Sequence, residues 1–147
     1  MSSRRAAIAM DGAEVLAFLE QERTLVCATL GRDGWPHLMP LWYVVRDGEC
    51  WAWTYAKSQK VRNLERDARC TLQIEAGDTY LELRGVMMKC AAAIHREPET
   101  VREIGRALAV RFGAAEDAHV DEGQVAKRVA LQFISSRVAS FDHRKLA

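Results

Sequence analysis

WPHLMPLWYVVRDGECWAWTY, residues 35–55, is the stretch that decides the fold. Two runs rich in aromatic and β-branched residues flank Asp47-Gly48, a dipeptide suited to the positive φ angles of a tight hairpin turn. The pattern predicts one strand over residues 35–45 and another over 49–55. Pro36 and Pro40 have no N–H to give a ladder, so the first of these strands is irregular or runs along an edge. An edge leaves backbone groups free for a ligand.

Upstream, residues 24–30 read as a buried strand and 32–34 as a turn. A helix is predicted over residues 11–22, with Asp11 as its cap and Glu14 completing a capping-box pair. Val15, Leu16, Phe18 and Leu19 form its apolar face. Downstream come a short helix over 58–67, a strand over 69–75, a Gly77-Asp78 turn and a long strand over 79–95. In that last segment Leu81 and Leu83 are apolar before Gly85, and Val86, Met88, Cys90 and Ile94 after it. The one-residue change of parity predicts a β-bulge at the glycine. Val101, Ile104, Leu108 and Phe112 recur at helical spacing between Pro98 and Gly113, which predicts a helix over 98–112. Residues 114–123 read as loop and 129–141 as the last strand. Six strands with few helices point to a mainly β, mainly antiparallel barrel with helical additions.

The 147 residues are expected to form one domain, 1–147, able to bury a core without disulfides or metals. Apolar residues make up 49% and charged residues 28%, and the formal charge is only +1, so no basic field marks a nucleic-acid partner. No apolar run reaches the roughly 20 residues of a membrane span, and the first ten residues lack a secretory signal's apolar stretch. The expected address is the cytoplasm. Cys27, Cys50, Cys70 and Cys90 lie about twenty residues apart with no C-x-x-C pair, so they read as reduced and packed, with no metal site. His95, His119 and His143 show no ligand spacing either.

WTYAKSQKVRNL, residues 53–64, concentrates the chemistry. A strand ends there in hydroxyl and ammonium groups and a helix begins at Ser58. Helix N-termini present unpaired N–H groups and partial positive charge, which favour a phosphate. Thr54 and Ser58 add hydroxyls, and Lys57 and Lys60 add charge. The same residues also fit an N-cap flanked by solvated lysines, and spacing alone leaves both readings open.

With TLGRDGWPHLMPLWYV, WTYAKSQKVRNLERDARCTL, YLELRG and the terminal SFDHRKL, the chain resembles the pyridoxamine-phosphate-oxidase-like split-barrel superfamily. It is most similar to the small flavin/deazaflavin oxidoreductase branch. The resemblance implies a six-stranded antiparallel split β-barrel. It implies that Thr54, Ser58 and Lys60 hold a cofactor phosphate, with Lys57 beside them and Asn63 on the next helix turn. It also implies that Met39, Pro40, Leu41 and Trp42 lie along the cofactor ring; His37, beside that strand, is a separate candidate to touch cofactor or substrate. The implied cofactor is FMN or the deazaflavin coenzyme F-420. The K-V-R-N-L-x-R-D run favours F-420, whose acidic tail would suit Arg62, Arg66 or Arg69. The implied activity is hydride transfer between that cofactor and a small organic substrate, with no dedicated catalytic acid identified.

The chain departs from pyridoxamine-phosphate oxidases proper. His37 stands where they carry an arginine, Trp42 where they carry a lysine, and Tyr80 where they carry a glutamine. Their arginine–histidine pair before the last strand is not recognisable. Oxidation of pyridoxamine phosphate itself is therefore not expected. The family builds its sites at the interface of a C2 homodimer, and the SFDHRKL segment is a candidate to complete the partner's pocket. A non-catalytic carrier or sensor is the alternative from another class. A haem-binding split barrel would need an axial ligand, and no histidine is marked out for it.

Overall fold

Asp11 accepts from the Glu14 amide at 2.8 Å and Glu14 returns a bond to the Asp11 amide at 3.2 Å. This reciprocal cap starts α2 (Gly12–Gln21), which buries Phe18 and Leu19. The computed structural model describes residues 3–147. Ahead of α2 stands a short helix the sequence pattern did not reveal, α1 (Arg4–Ile8). The strands are β1 (Thr24–Leu30), β2 (Pro36–Trp42), β3 (Val44–Arg46), β4 (Glu49–Tyr55), β5 (Arg69–Ala76), β6 (Arg84–His95) and β7 (Arg128–Asp142). The remaining helices are α3 (Gln59–Arg66), α4 (Pro98–Arg111) and α5 (Glu122–Ala126), with one-turn 3-10 segments at Tyr80–Glu82 and His143–Leu146.

All seven strands pair antiparallel in the order β2-β1-β5-β6-β7-β4-β3. β2 and β3 therefore occupy opposite edges of the sheet, yet only Tyr43 separates them in sequence. That connection draws the two edges together and curls the sheet into a split barrel. It also corrects the expected count of six strands to seven, because the expected strand over 35–45 is two. Tyr43 leaves the ladder for a physical reason. Its amide donates to the Arg23 carbonyl at 3.1 Å, and its hydroxyl donates to the Leu19 carbonyl at 2.6 Å. The side chain is wholly buried.

The long sixth segment needs a second correction. It is a strand only from Arg84, and Leu81 and Leu83 belong to a turn and its exit. The Tyr80 carbonyl meets His143 Nδ1 at 2.7 Å, and the Leu83 carbonyl accepts from the His143 amide at 2.8 Å. The apparent parity change at Gly85 came from joining that turn to the strand. The register irregularity between β6 and β7 falls instead between Lys89 and Cys90. Gly85 has another role: a Cβ there would lie 2.5 Å from the Phe141 ring.

One core fills the barrel, with Leu25, Cys27, Leu72, Ile74, Val86, Leu131 and Phe133 among its members. All four cysteines are free and buried there. A second core lies beneath α4, where Val101, Ile104 and Leu108 meet Val44 and Ala130, with Trp51 and Trp53 packed against them. Trp51 and Trp53 share one face of β4, as alternation requires. Gly105 lets α4 approach: a Cβ there would sit 2.4 Å from the Trp53 ring. Among the described residues, no helix is long and apolar enough to cross a membrane.

Candidate functional site

Beside the apolar Val61 and Leu64, the barrel end nearest α3 also holds buried polar side chains. β4 ends there with Thr54 facing inward, and Tyr55 turns through exposed Lys57 into Ser58. Ser58 caps α3 by accepting from the Val61 amide at 3.4 Å. The first intrahelical bond runs from the Arg62 amide to the Ser58 carbonyl. The amides of Gln59 and Lys60 thus precede the helical ladder, and helix geometry leaves them without a partner inside it.

Two of the four side chains that α3 buries are polar. Lys60 Nζ donates to Thr54 Oγ1 at 3.0 Å, and Asn63 Nδ2 donates to Thr29 Oγ1 at 3.0 Å. All four residues are buried. Asn63 Oδ1 accepts from Gln59 Nε2 at 2.8 Å and from Arg66 at 3.3 Å. Burial lowers the Lys60 pKa from the ordinary lysine value, with a smaller opposing contribution from nearby Cys27.

A cavity of about 500 Å³ opens beside this corner, between the turn that leads into β2 and the outer side of α3. Arg32, Trp35, His37, Gln59 and Asn63 are among its walls. His37 Nδ1 is a buried side-chain nitrogen with no hydrogen-bond partner. A buried polar atom left unpaired is costly to the fold. Sequence reasoning placed His37 and Asn63 in a site; it missed Arg32, Trp35 and Gln59, though they lie within the quoted family stretches.

β2 then runs from this cavity to a second one. Pro40, Leu41 and Trp42 line a space of about 600 Å³ whose other walls include Trp53, Gly105, Phe112 and Arg128. His37 and Pro40 are three residues apart, about 10 Å along a strand. Met39 lies between them, 42% exposed. Trp42 stacks on Phe112 with ring centroids 4.1 Å apart.

The ten expected site residues therefore fall into three groups. Thr54, Lys60, Ser58 and Lys57 sit at the junction of β4 and α3; His37 and Asn63 line the first cavity; Pro40, Leu41 and Trp42 line the second, with Met39 on the strand between. The first two groups meet at α3, and β2 ties the third to them. Of the arginines expected to serve an acidic tail, Arg62 is exposed and Arg66 donates to the Leu30 carbonyl. Arg69 is held in a two-point bond by Asp67, whose carboxyl it keeps well below the usual range, at about 2. Among the described residues, no cluster of histidine, cysteine or carboxylate groups is arranged to hold a metal ion.

Comparisons with known proteins agree with this architecture. Residues 12–141 match the sequence model of the family described as pyridoxamine 5'-phosphate oxidase. The crystal structure of the conserved hypothetical protein Rv2991 from Mycobacterium tuberculosis superposes with a TM-score of 0.88 at 42% identity, over 99% of this chain and 92% of that one. An F-420 reductase superposes with a TM-score of 0.67 at 19% identity, over 83% of this chain and 93% of that one. An FAD-binding protein from Mesorhizobium loti does so with a TM-score of 0.71 at 15% identity, over 90% of this chain and 94% of that one. At those identities the last two show a shared fold. No curated protein matches the chain.

Proposed function

The chain belongs to the pyridoxamine 5'-phosphate oxidase family of split barrels, and from that premise we propose that it is a flavin- or deazaflavin-dependent oxidoreductase acting on a small organic substrate. The single observation that carries this reading is the buried Lys60–Thr54 pair at the start of α3, beside a cavity walled by His37, Gln59 and Asn63. The residues present fit a phosphate. Free amides at Gln59 and Lys60, the Ser58 hydroxyl, the Lys60 ammonium and the exposed Lys57 all lie at the start of one helix, where the dipole favours an anion. His37 replaces the arginine of the oxidases proper at the same corner. The planar end of the cofactor would lie along Met39–Trp42, where Pro36 and Pro40 leave backbone groups out of the ladder.

The bound ring would supply two-electron hydride exchange with an organic partner. The protein's part is to grip the phosphate, align the ring against β2 and wall off water with Trp42. Within the flavin class, coenzyme F-420 is the proposed cofactor. Arg32 lines the phosphate-side cavity, and Arg62 and Arg66 follow along α3, a basic run suited to an acidic tail. A second copy of the chain is the proposed partner, in support of which Leu38, Trp35, Ile134 and Val138 are exposed. Apolar side chains so placed are the kind a homodimer covers.

Mixing purified protein with reduced F-420, or with reduced FMN, and a panel of organic acceptors tests the proposal. Return of the oxidised chromophore at a protein-dependent rate supports it. Tight binding with no turnover of any acceptor would make the chain a carrier instead.

A further inference from the structure

The 600 Å³ cavity beneath α4 shares Pro40, Leu41 and Trp42 with the proposed ring site, but its other walls have no part in that role. Trp53 forms one side, and the Trp42–Phe112 stack forms another. On the helix Gly105 lets the Trp53 ring pack close, and the small Ala109 also lines the space. Arg128 is the one charged residue among its walls. Its guanidinium lies 4.6 Å from the Trp53 ring and 4.2 Å from the Tyr55 ring. Nε and Nη2 both donate to Gln124 Oε1, at 3.2 Å and 3.0 Å, a neutral acceptor that fixes the fork without cancelling its charge. Among the described residues, no carboxylate pairs with Arg128. Arg23, 5.6 Å from the Phe112 ring centroid, adds a second positive charge nearby.

An aromatic-walled cavity of this size with one oriented, uncompensated guanidinium has the chemistry of a small-molecule site. Flat apolar walls select a planar ring, and the fork of an arginine selects a carboxylate. We infer that the cavity beneath α4 binds a flat aromatic carboxylate, its ring between Trp53 and the Trp42–Phe112 stack and its carboxylate at Arg128. Because Pro40, Leu41 and Trp42 form the remaining wall, the aromatic anion is the substrate class of the oxidoreductase; that role, unlike the binding itself, rests on the function proposed above.

Calorimetric titration with 2-naphthoate and its uncharged counterpart 2-naphthamide tests the inference on the full chain without any cofactor. The acid should bind more tightly than the amide by about tenfold or more, as a charge-assisted contact requires. That preference should vanish in Arg128→Gln, and both probes should be lost in Ala109→Phe, which fills the cavity from a helix position and keeps the charge. Absence of naphthoate binding, or binding indifferent to both substitutions, would overturn the site. Saturating FMN or F-420 should leave naphthoate affinity unchanged, and mutual exclusion would assign the cavity to the cofactor ring instead. If naphthoate binds as stated while neither cofactor binds, the site stands and the oxidoreductase reading falls. If a cofactor binds and naphthoate does not, only this inference falls.

Discussion

Lys60 Nζ donates to Thr54 Oγ1 across 3.0 Å, locking the first turn of α3 to the end of β4, with the two side chains 7% and 4% exposed. Lost hydration lowers the pKa of a lysine so enclosed, and an arriving anion favours its charged form. Binding of a phosphate-bearing cofactor should therefore weaken as pH rises through the lowered Lys60 pKa, earlier than an ordinary lysine would dictate. Lys60→Met should bind more weakly by about 1.5–3 kcal/mol at neutral pH and lose that alkaline dependence. Titrations from neutral pH to about 10 would show it. The stability effect has the opposite sense: between the lowered native pKa and the ordinary one the unfolded chain holds more protons, so Lys60 makes the fold more stable as pH rises.

His37 Nδ1 has no internal partner to lose. His37→Phe should therefore raise the melting temperature, by relieving that unpaired nitrogen, while weakening cofactor binding by about 1–2 kcal/mol. A fall in stability equal to the fall in affinity would mean that the imidazole serves the fold.

At Gly105 two effects oppose each other. Alanine is favoured over glycine inside a helix by about 1 kcal/mol. Its Cβ would stand 2.4 Å from a Trp53 ring already faced by Arg128, and overpacking of that kind costs about 1–3 kcal/mol. The clash should win, so Gly105→Ala lowers the denaturation midpoint.

Tyr43 and Arg111 both donate to the Leu19 carbonyl, at 2.6 Å and 2.8 Å. Tyr43→Phe leaves that oxygen satisfied by Arg111 and should cost no more than about 1 kcal/mol. Arg111 also donates to the carbonyls of Glu20 and Glu22, and its guanidinium lies 4.9 Å from the Tyr43 ring centroid. Arg111→Met should cost about 2–3 kcal/mol, since it uncaps the end of α2. Urea denaturation of the two variants would rank them.

Features set by neighbours in sequence were legible before any coordinates. The Asp11–Glu14 box, the Asp47-Gly48 turn with both residues at positive φ, and α4 between Pro98 and Gly113 all appear where the pattern placed them. What escaped was fixed from afar. Leu81 and Leu83 alternate like strand residues, but His143, about sixty positions on, holds them in a turn. Tyr43 breaks its strand for partners at Leu19 and Arg23. The polar residues of the β4–α3 junction were visible because they sit together in the chain. Phe112 and Arg128 were not, because only the packing of α4 over β4 brings them to Trp42 and Trp53.

Equilibrium titration of wild type and Lys60→Met with FMN and with F-420 bears most directly on the whole account. Saturable binding of one of them, displaced by inorganic phosphate and weakened in the variant, is the expected result. If neither cofactor binds, or the variant binds as tightly as wild type, then no anion is held where β4 gives way to α3.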